Sequence, residues 1–348
     1  MVPLTLIALF LATLLSVPSV FAHDTLASGI AVRSAHLHQA RAAFAKCSGK
    51  LQSRDVIAHR VARRAELVES HLEKRRVEKR QWIPMPPVTP PGNNTGACVL
   101  TPEVMVGPYY VKEELIRKDI RKGEGERGVP LLLDLQFVDF DTCEPVTNAM
   151  IDLWHCNTTG LYSGFASEKT TGEHFNRGLQ PTDRRGIMHM ITSFPGWYDM
   201  RATHIHAIHI GGKVDRKKRI YQGGHVTHIG QLFFPESLLT QIDQRLPYTK
   251  NKLKERVRND DDFIYHQENT GYNAVSEIQM LGDEMEDGIL ASISVGINLK
   301  ASYNISNMWG SGSSGPPSGM TFPPGGFPTG PPGGMPTLLT TTRTVDGI

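Results

Sequence analysis

None of the four cysteines, Cys47, Cys98, Cys143 and Cys156, stands in a Cys-x-x-Cys spacing, which removes the usual signature of a structural zinc site. A strong net charge is missing too, the total being only +2 over 348 residues. The charge is also unevenly spread. Residues 1–80 hold 13 Lys and Arg against 6 Asp and Glu, and the remainder holds 24 against 29. A body with a negative balance has no basic face for a polyanion, so neither nucleic acid nor a membrane surface is an expected partner. Long apolar runs are confined to the N-terminus. Residues 2–15 are almost wholly apolar, and Val20 and Ala22 occupy the −3 and −1 positions of a cleavage site after Ala22. The basic residues that usually precede such a run are absent, yet the pattern predicts a signal peptide over 1–22 and a secreted, extracellular protein. The run is short for a membrane span and ends at Pro18.

An even number of cysteines in a secreted chain predicts disulfides, with three full pairings open. Asn-x-Ser/Thr sequons at Asn93, Asn157 and Asn304 are glycosylation candidates on the same route.

Strong turn clusters and proline are absent from 34–80, where Val56, Val61, Leu67 and Leu72 recur at loose helical spacing. The spacing predicts an N-terminal helical segment within 23–80, broken near Ser48 and Gly49. It ends in Lys79-Arg80, which reads equally as a propeptide-processing site or as an exposed basic helix face. Residues 81–97 are rich in Pro, Gly and Asn and predict an extended linker.

Across 98–300, helices between strands are missing, which excludes a βαβ sheet. Strand patterns run over 131–140, 150–156, 186–192, 202–210, 231–234 and 288–299, bounded by Gly, Pro, Asp and Asn. Only 235–246 reads as a clear helix, and 250–262 as a solvated helix and loop. The expected fold is mainly β, an antiparallel β-sandwich. From 301 to 348 the chain is too rich in Gly, Pro and Ser to fold, so a disordered tail is expected, and no terminal apolar stretch there suits a lipid anchor.

The most informative stretch is 195–210, which holds Pro195-Gly196-Trp197-Tyr198, Arg201 and the pair His204-Ile205-His206. On a strand, residues two apart share a face, so the imidazoles of His204 and His206 can meet at one ion. Imidazole suits iron, copper, zinc or nickel. A nearby phenolate such as Tyr198 favours a highly charged ion, and ligation at neutral pH needs that ion to hold off the phenol proton.

Three further stretches join it: Asp152-x-Trp154-His155-x-x-x-x-Gly160-x-Tyr162-Ser163, Arg177-Gly178-x-Gln180-x-Thr182-Asp183, and Gly230-Gln231. In this order and spacing they resemble the intradiol ring-cleavage dioxygenases, the catechol and protocatechuate dioxygenase family, and most nearly its secreted fungal branch. The resemblance covers residues 98–248. It implies a non-haem Fe(III) held by Tyr162, Tyr198, His204 and His206. It also implies that catechol-type rings are cleaved by O2 between the two hydroxyl-bearing carbons, giving cis,cis-muconate-type diacids. In that family Tyr198 would leave the metal and take a substrate proton, Arg201 would stabilise anionic intermediates, and Gln231 would support them by hydrogen bonding. Arg177, Gln180, Thr182 and Asp183 would line the substrate pocket.

His155 and His189 read as core residues, and His209 falls on the face opposite the His pair by strand parity. His225 and His228 carry no ligand assignment. Two other readings stay open at this point: a non-catalytic secreted β-sandwich binding metal or aromatic ligands, and a copper or zinc site using the histidines alone.

Overall fold

The computed structural model describes residues 47, 49–51, 53–80, 82–87, 107–111, 115–121, 128–215, 220–269 and 273–302. The signal peptide, Asn93, Cys98, Asn304 and the Gly/Pro-rich tail lie outside the described residues, as does the His225 side chain.

Among the described residues, eight strands form two four-stranded sheets. The first holds β1 (Pro130–Asp139), β4 (Ile187–Ser193), β7 (Glu277–Met280) and β8 (Ile289–Ile297), in the order β4-β1-β8-β7. The second holds β2 (Met150–Trp154), β3 (Arg177–Pro181), β5 (His204–Asp215) and β6 (Ile220–Phe233), in the order β3-β2-β5-β6. The chain is mainly β, as the turn pattern predicts, with one pairing of the other kind: β1 and β8 are parallel, Leu131 opposite Ile289 through Asp139 opposite Ile297. A parallel pair cannot be joined by a tight hairpin. The long connection between these two strands accordingly contains the entire second sheet.

Helix α1 (Arg54–Lys79) explains why β1 does not show one wet face. Leu67, Val68 and Leu72 pack on Leu132, Ile191, Leu281 and Leu290, so the face of β1 that carries Leu132 is covered. Asp134 on that face is fully buried. It accepts from Arg64 Nε at 2.5 Å and is 3.1 Å from His189 Nε2, with Arg60 at 3.9 Å. Burial alone would raise this carboxyl, but the His189 hydrogen bond and the charges of Arg60 and Arg64 outweigh it and hold it far below the usual range. His189, expected to be simple packing, is therefore part of a buried polar cluster. The helical break falls nearer Ser53 than Gly49, since residues 49–51 are already helical.

A Cys47–Cys143 disulfide ties the start of this segment to the turn after β1. Cys156 is buried just beyond the end of β2, and Cys98 lies outside the described residues. Helix α2 (Glu236–Asp243) follows β6, and α3 (Phe263–Asn269) packs near its end.

Candidate active site

Register places the key residues in one row across the second sheet. Arg177 on β3 lies opposite Trp154 on β2, Trp154 opposite His206 on β5, and His206 opposite Gln231 on β6. Directly paired residues point to one face, so these four side chains stand side by side. His204 lies two residues before His206 on the same face.

The two histidine nitrogens converge. His204 Nε2 is 3.1 Å from His206 Nε2 and 3.4 Å from Tyr198 Oη. His204 Nδ1 lies 2.6 Å from the Ala202 carbonyl, which can only accept, so Nδ1 carries the proton and Nε2 is a bare lone pair. Trp154 stacks on His206 at 4.6 Å and 5°, holding that ring flat. Burial, then the Arg201 charge, pushes His204 well below its usual value. Burial does the same to His206, helped by His204 and Arg201, so both rings are neutral at pH 7.

Both tyrosines reach this spot from loops that lock together. The turn leading to Tyr162 is closed by Asn157, whose Oδ1 accepts from Thr159 N, Thr159 Oγ1 and Leu161 N, each at 3.0 Å. The Pro195–Tyr198 stretch lies against that turn, with Gly196 N donating to Asn157 O at 3.1 Å. A Cβ at Gly196 would fall inside the Thr158 carbonyl, and one at Gly160, where φ is +89°, inside the Trp197 carbonyl. Only glycine permits this approach. Asn157, a sequon candidate, is half-buried here with its carbonyl oxygen already engaged.

Tyr162 is fully buried, and its ring lies 5.4 Å from that of Tyr198. Its hydroxyl has no hydrogen-bond partner of normal geometry, and neither does His206 Nδ1. Burial, then the neighbouring Tyr198, raises the Tyr162 phenol well above 10. Burial also raises Tyr198, against the pull of Arg201. Neither is a phenolate unless a cation displaces its proton.

The donor set fits such a cation. Two donors each about 2.1 Å from one ion and about 95° apart lie about 3.1 Å from each other, close to the His204–His206 spacing. Among the described residues no group of three His, Cys, Asp or Glu side chains could hold a metal, so a complete shell here must draw on the phenol oxygens. Two hard anionic oxygens with two imidazoles match a trivalent ion better than copper or zinc.

A family model described as dioxygenase matches residues 105–272. The chain is 30% identical to the intradiol ring-cleavage dioxygenase of Tetranychus urticae, with a TM-score of 0.50 over 60% of this chain and 98% of that one. It belongs to the intradiol ring-cleavage dioxygenases. Catechol 1,2-dioxygenase of Acinetobacter baylyi is 35% identical over 104 residues, which take in 28% of this chain and 32% of that relative. The match thus spans about a third of the curated relative's length.

In this family member Arg201 pairs with Asp262. Its Nε donates to Asp262 Oδ2 at 2.9 Å, one terminal nitrogen to Gln231 Oε1 at 2.5 Å, and the other faces Tyr198 Oη at 3.4 Å. Burial opposes its charge, but the phenol of Tyr198 and the carboxylate of Asp262 hold it firmly protonated. Arg177 donates from Nε to Ser163 O and Oγ behind the Tyr162 loop, its guanidinium 5.8 Å from the Tyr162 ring.

The other three pocket candidates of this dioxygenase are placed elsewhere. Gln180 is opposite Ile151, three residues along β3 from Arg177, and so points to the other face. Thr182 Oγ1 donates to Val146 O and accepts from Ala149 N. Asp183 caps the next turn through Arg185 N and Ile187 N and faces His59 and Arg63 of α1 at 3.6 Å. His155 is a satisfied core residue as expected, donating to Cys156 O and bonded to Thr192 Oγ1, and burial pushes it down to about 4. His209 bonds Thr227 on the opposite face.

Two residues escaped sequence reasoning. Tyr109 stacks on Tyr162 at 4.2 Å and 6° while donating to Glu168 at 3.2 Å. The Gly-Pro-Tyr-Tyr run at 107–110 could have suggested a wall, but nothing in it marks which ring it covers. Asp262 lay in a stretch read as solvated and had no signal.

Proposed function

We propose that this chain is a secreted ferric intradiol dioxygenase that opens catechol-type rings between the two hydroxyl-bearing carbons. Both atoms of O2 enter the product, a cis,cis-muconate-type diacid. The observation that carries this reading is the convergence of His204 Nε2, His206 Nε2 and Tyr198 Oη, with buried Tyr162 beside them, in a chain of this family.

Fe(III), which Tyr162, Tyr198, His204 and His206 would hold, would supply Lewis-acid activation of a catechol-type substrate. Tyr162, His204 and His206 are buried and would serve as fixed ligands, while Tyr198 is half-buried. Tyr198 is thus the phenolate suited to accept one substrate hydroxyl proton at Oη and become a phenol. The Arg201 guanidinium, beside that oxygen, faces the negative charge carried by substrate and product oxygens. Trp154 and the Ala202 carbonyl keep the imidazoles in place as charge shifts.

Secretion is supported by the apolar N-terminal pattern and fits the Cys47–Cys143 disulfide, which an oxidising compartment sustains. Extracellular catechols are the substrate class this address suggests.

Oxygen uptake measured with catechol, protocatechuate, hydroxyquinol and caffeate should show at least one substrate consuming one O2 per ring, with a diacid product. An extradiol aldehyde product, or no uptake by iron-loaded protein with any of the four, contradicts the reading.

A further inference from the structure

The Arg201 side chain has four rotatable bonds, and an arginine that must meet a reacting oxygen needs its guanidinium plane fixed. The structure supplies that fixing from outside the motifs that carry the family resemblance. Asp262 is fully buried immediately before α3. One carboxylate oxygen, Oδ2, accepts from Arg201 Nε at 2.9 Å and from Ala202 N at 2.6 Å. The other, Oδ1, accepts from Ile264 N at 2.8 Å and Tyr265 N at 3.0 Å, two amides of the first turn of α3. The same carboxylate therefore grips the arginine, the backbone two residues ahead of His204, and a helix start.

With Nε held, the two terminal nitrogens of Arg201 are left to aim at Gln231 Oε1 and Tyr198 Oη, and both do. We propose that Asp262 is a positioning residue for the ring-cleavage centre. It aims the Arg201 guanidinium at the oxygen of Tyr198, and so at the substrate anion that takes the adjacent place. This rests on the dioxygenase reading above. It adds a residue from a different element, 61 positions along the chain from the arginine it directs.

The competing role is that Asp262 merely caps α3, and Asp262→Ser separates the two. Serine is a good N-cap and can keep the bond to the first-turn amides, but it is too short to hold Arg201 Nε. Asp262→Ser should fold but melt lower than the parent, because Arg201 loses its counter-ion. It should also lose about 10- to 100-fold in kcat/KM measured well below its melting temperature, the usual cost of removing a group that orients an active-site residue. In an Arg201→Ala background the same change should cost less than about twofold, because its effect passes through that arginine. Asp262→Asn is the second variant: it keeps the side-chain shape but sets an amide donor against either the arginine or the helix amides, and should show the same non-additivity.

A readout independent of iron and turnover is hydrogen exchange of Arg201 Nε–H in metal-free protein. It should be protected in the parent and fast in Asp262→Ser. Parent-like kcat/KM in Asp262→Ser, an undiminished loss in the Arg201→Ala background, or an Arg201 Nε–H that exchanges fast in the parent would each overturn the proposal. A parent inactive on every catechol would instead remove the dioxygenase reading, and the exchange measurement would still decide whether Asp262 holds Arg201.

Discussion

Tyr162→Phe should fold like the parent and purify with little iron, whereas Tyr198→Phe, which also loses a ligand, should lose turnover per bound iron even when iron is supplied to saturation. The contrast follows from where the two rings sit. Tyr162 is fully buried and stacked on Tyr109, and its hydroxyl makes no hydrogen bond of normal geometry. Phenylalanine fills the same space, so the fold loses almost nothing while the metal loses a charged ligand. Even groups that only orient a ligand cost 10- to 100-fold in metal affinity when removed, so loss of the ligand itself should cost at least about 100-fold. Tyr198 is half-buried and shares its oxygen with Arg201 and His204. Its loss removes a proton acceptor, for which about 10²- to 10⁴-fold in kcat is the ordinary range. Iron content by elemental analysis and oxygen uptake check both. If the two variants match the parent in iron and rate, the ligand assignment is wrong.

Asp134→Ala should be the most destabilising of the changes considered, at about 3–5 kcal/mol, because it leaves the guanidinium of Arg64 buried without its counter-ion. Chemical denaturation would read this as a lower midpoint with an unchanged slope. The pH dependence has a definite sign. The folded carboxyl lies below its unfolded value, so its contribution is complete above that value, about 3.9, and is lost as pH falls toward the folded one. Asp134→Ala should therefore flatten the acid limb of the stability curve below about pH 4. A variant as stable as the parent would mean that α1 is not clamped to β1 through this carboxylate.

The same buried cluster shows what the sequence could not convey. The alternation of Leu131, Leu133, Leu135 and Phe137 with Asp134 and Gln136 marks a strand with one polar face, and local patterning assigns that face to water. Here Asp134 meets Arg64 of a helix 70 positions earlier and Gln136 accepts from Ser294 on β8, pairings no local pattern contains. Strand parity, by contrast, is local. It correctly separated His204 and His206 from His209, and applied to β3 it would also have set Gln180 apart from Arg177. β3 and β7 escaped notice because they are short and lack clean alternation. The loop contacts that bring Tyr162 to Tyr198 depend on glycines whose purpose shows only when the two turns touch. Asp262 is the extreme case, since a buried helix-capping aspartate and a solvated one look alike in sequence.

The most direct test is the visible spectrum of the purified, iron-loaded protein, taken with its metal content. Two tyrosinates on one ferric ion absorb visible light by ligand-to-metal charge transfer, so a red-brown protein with close to one iron per chain is expected. A colourless protein that carries a full complement of iron, or one that takes up only copper or zinc at the histidines, would contradict the account.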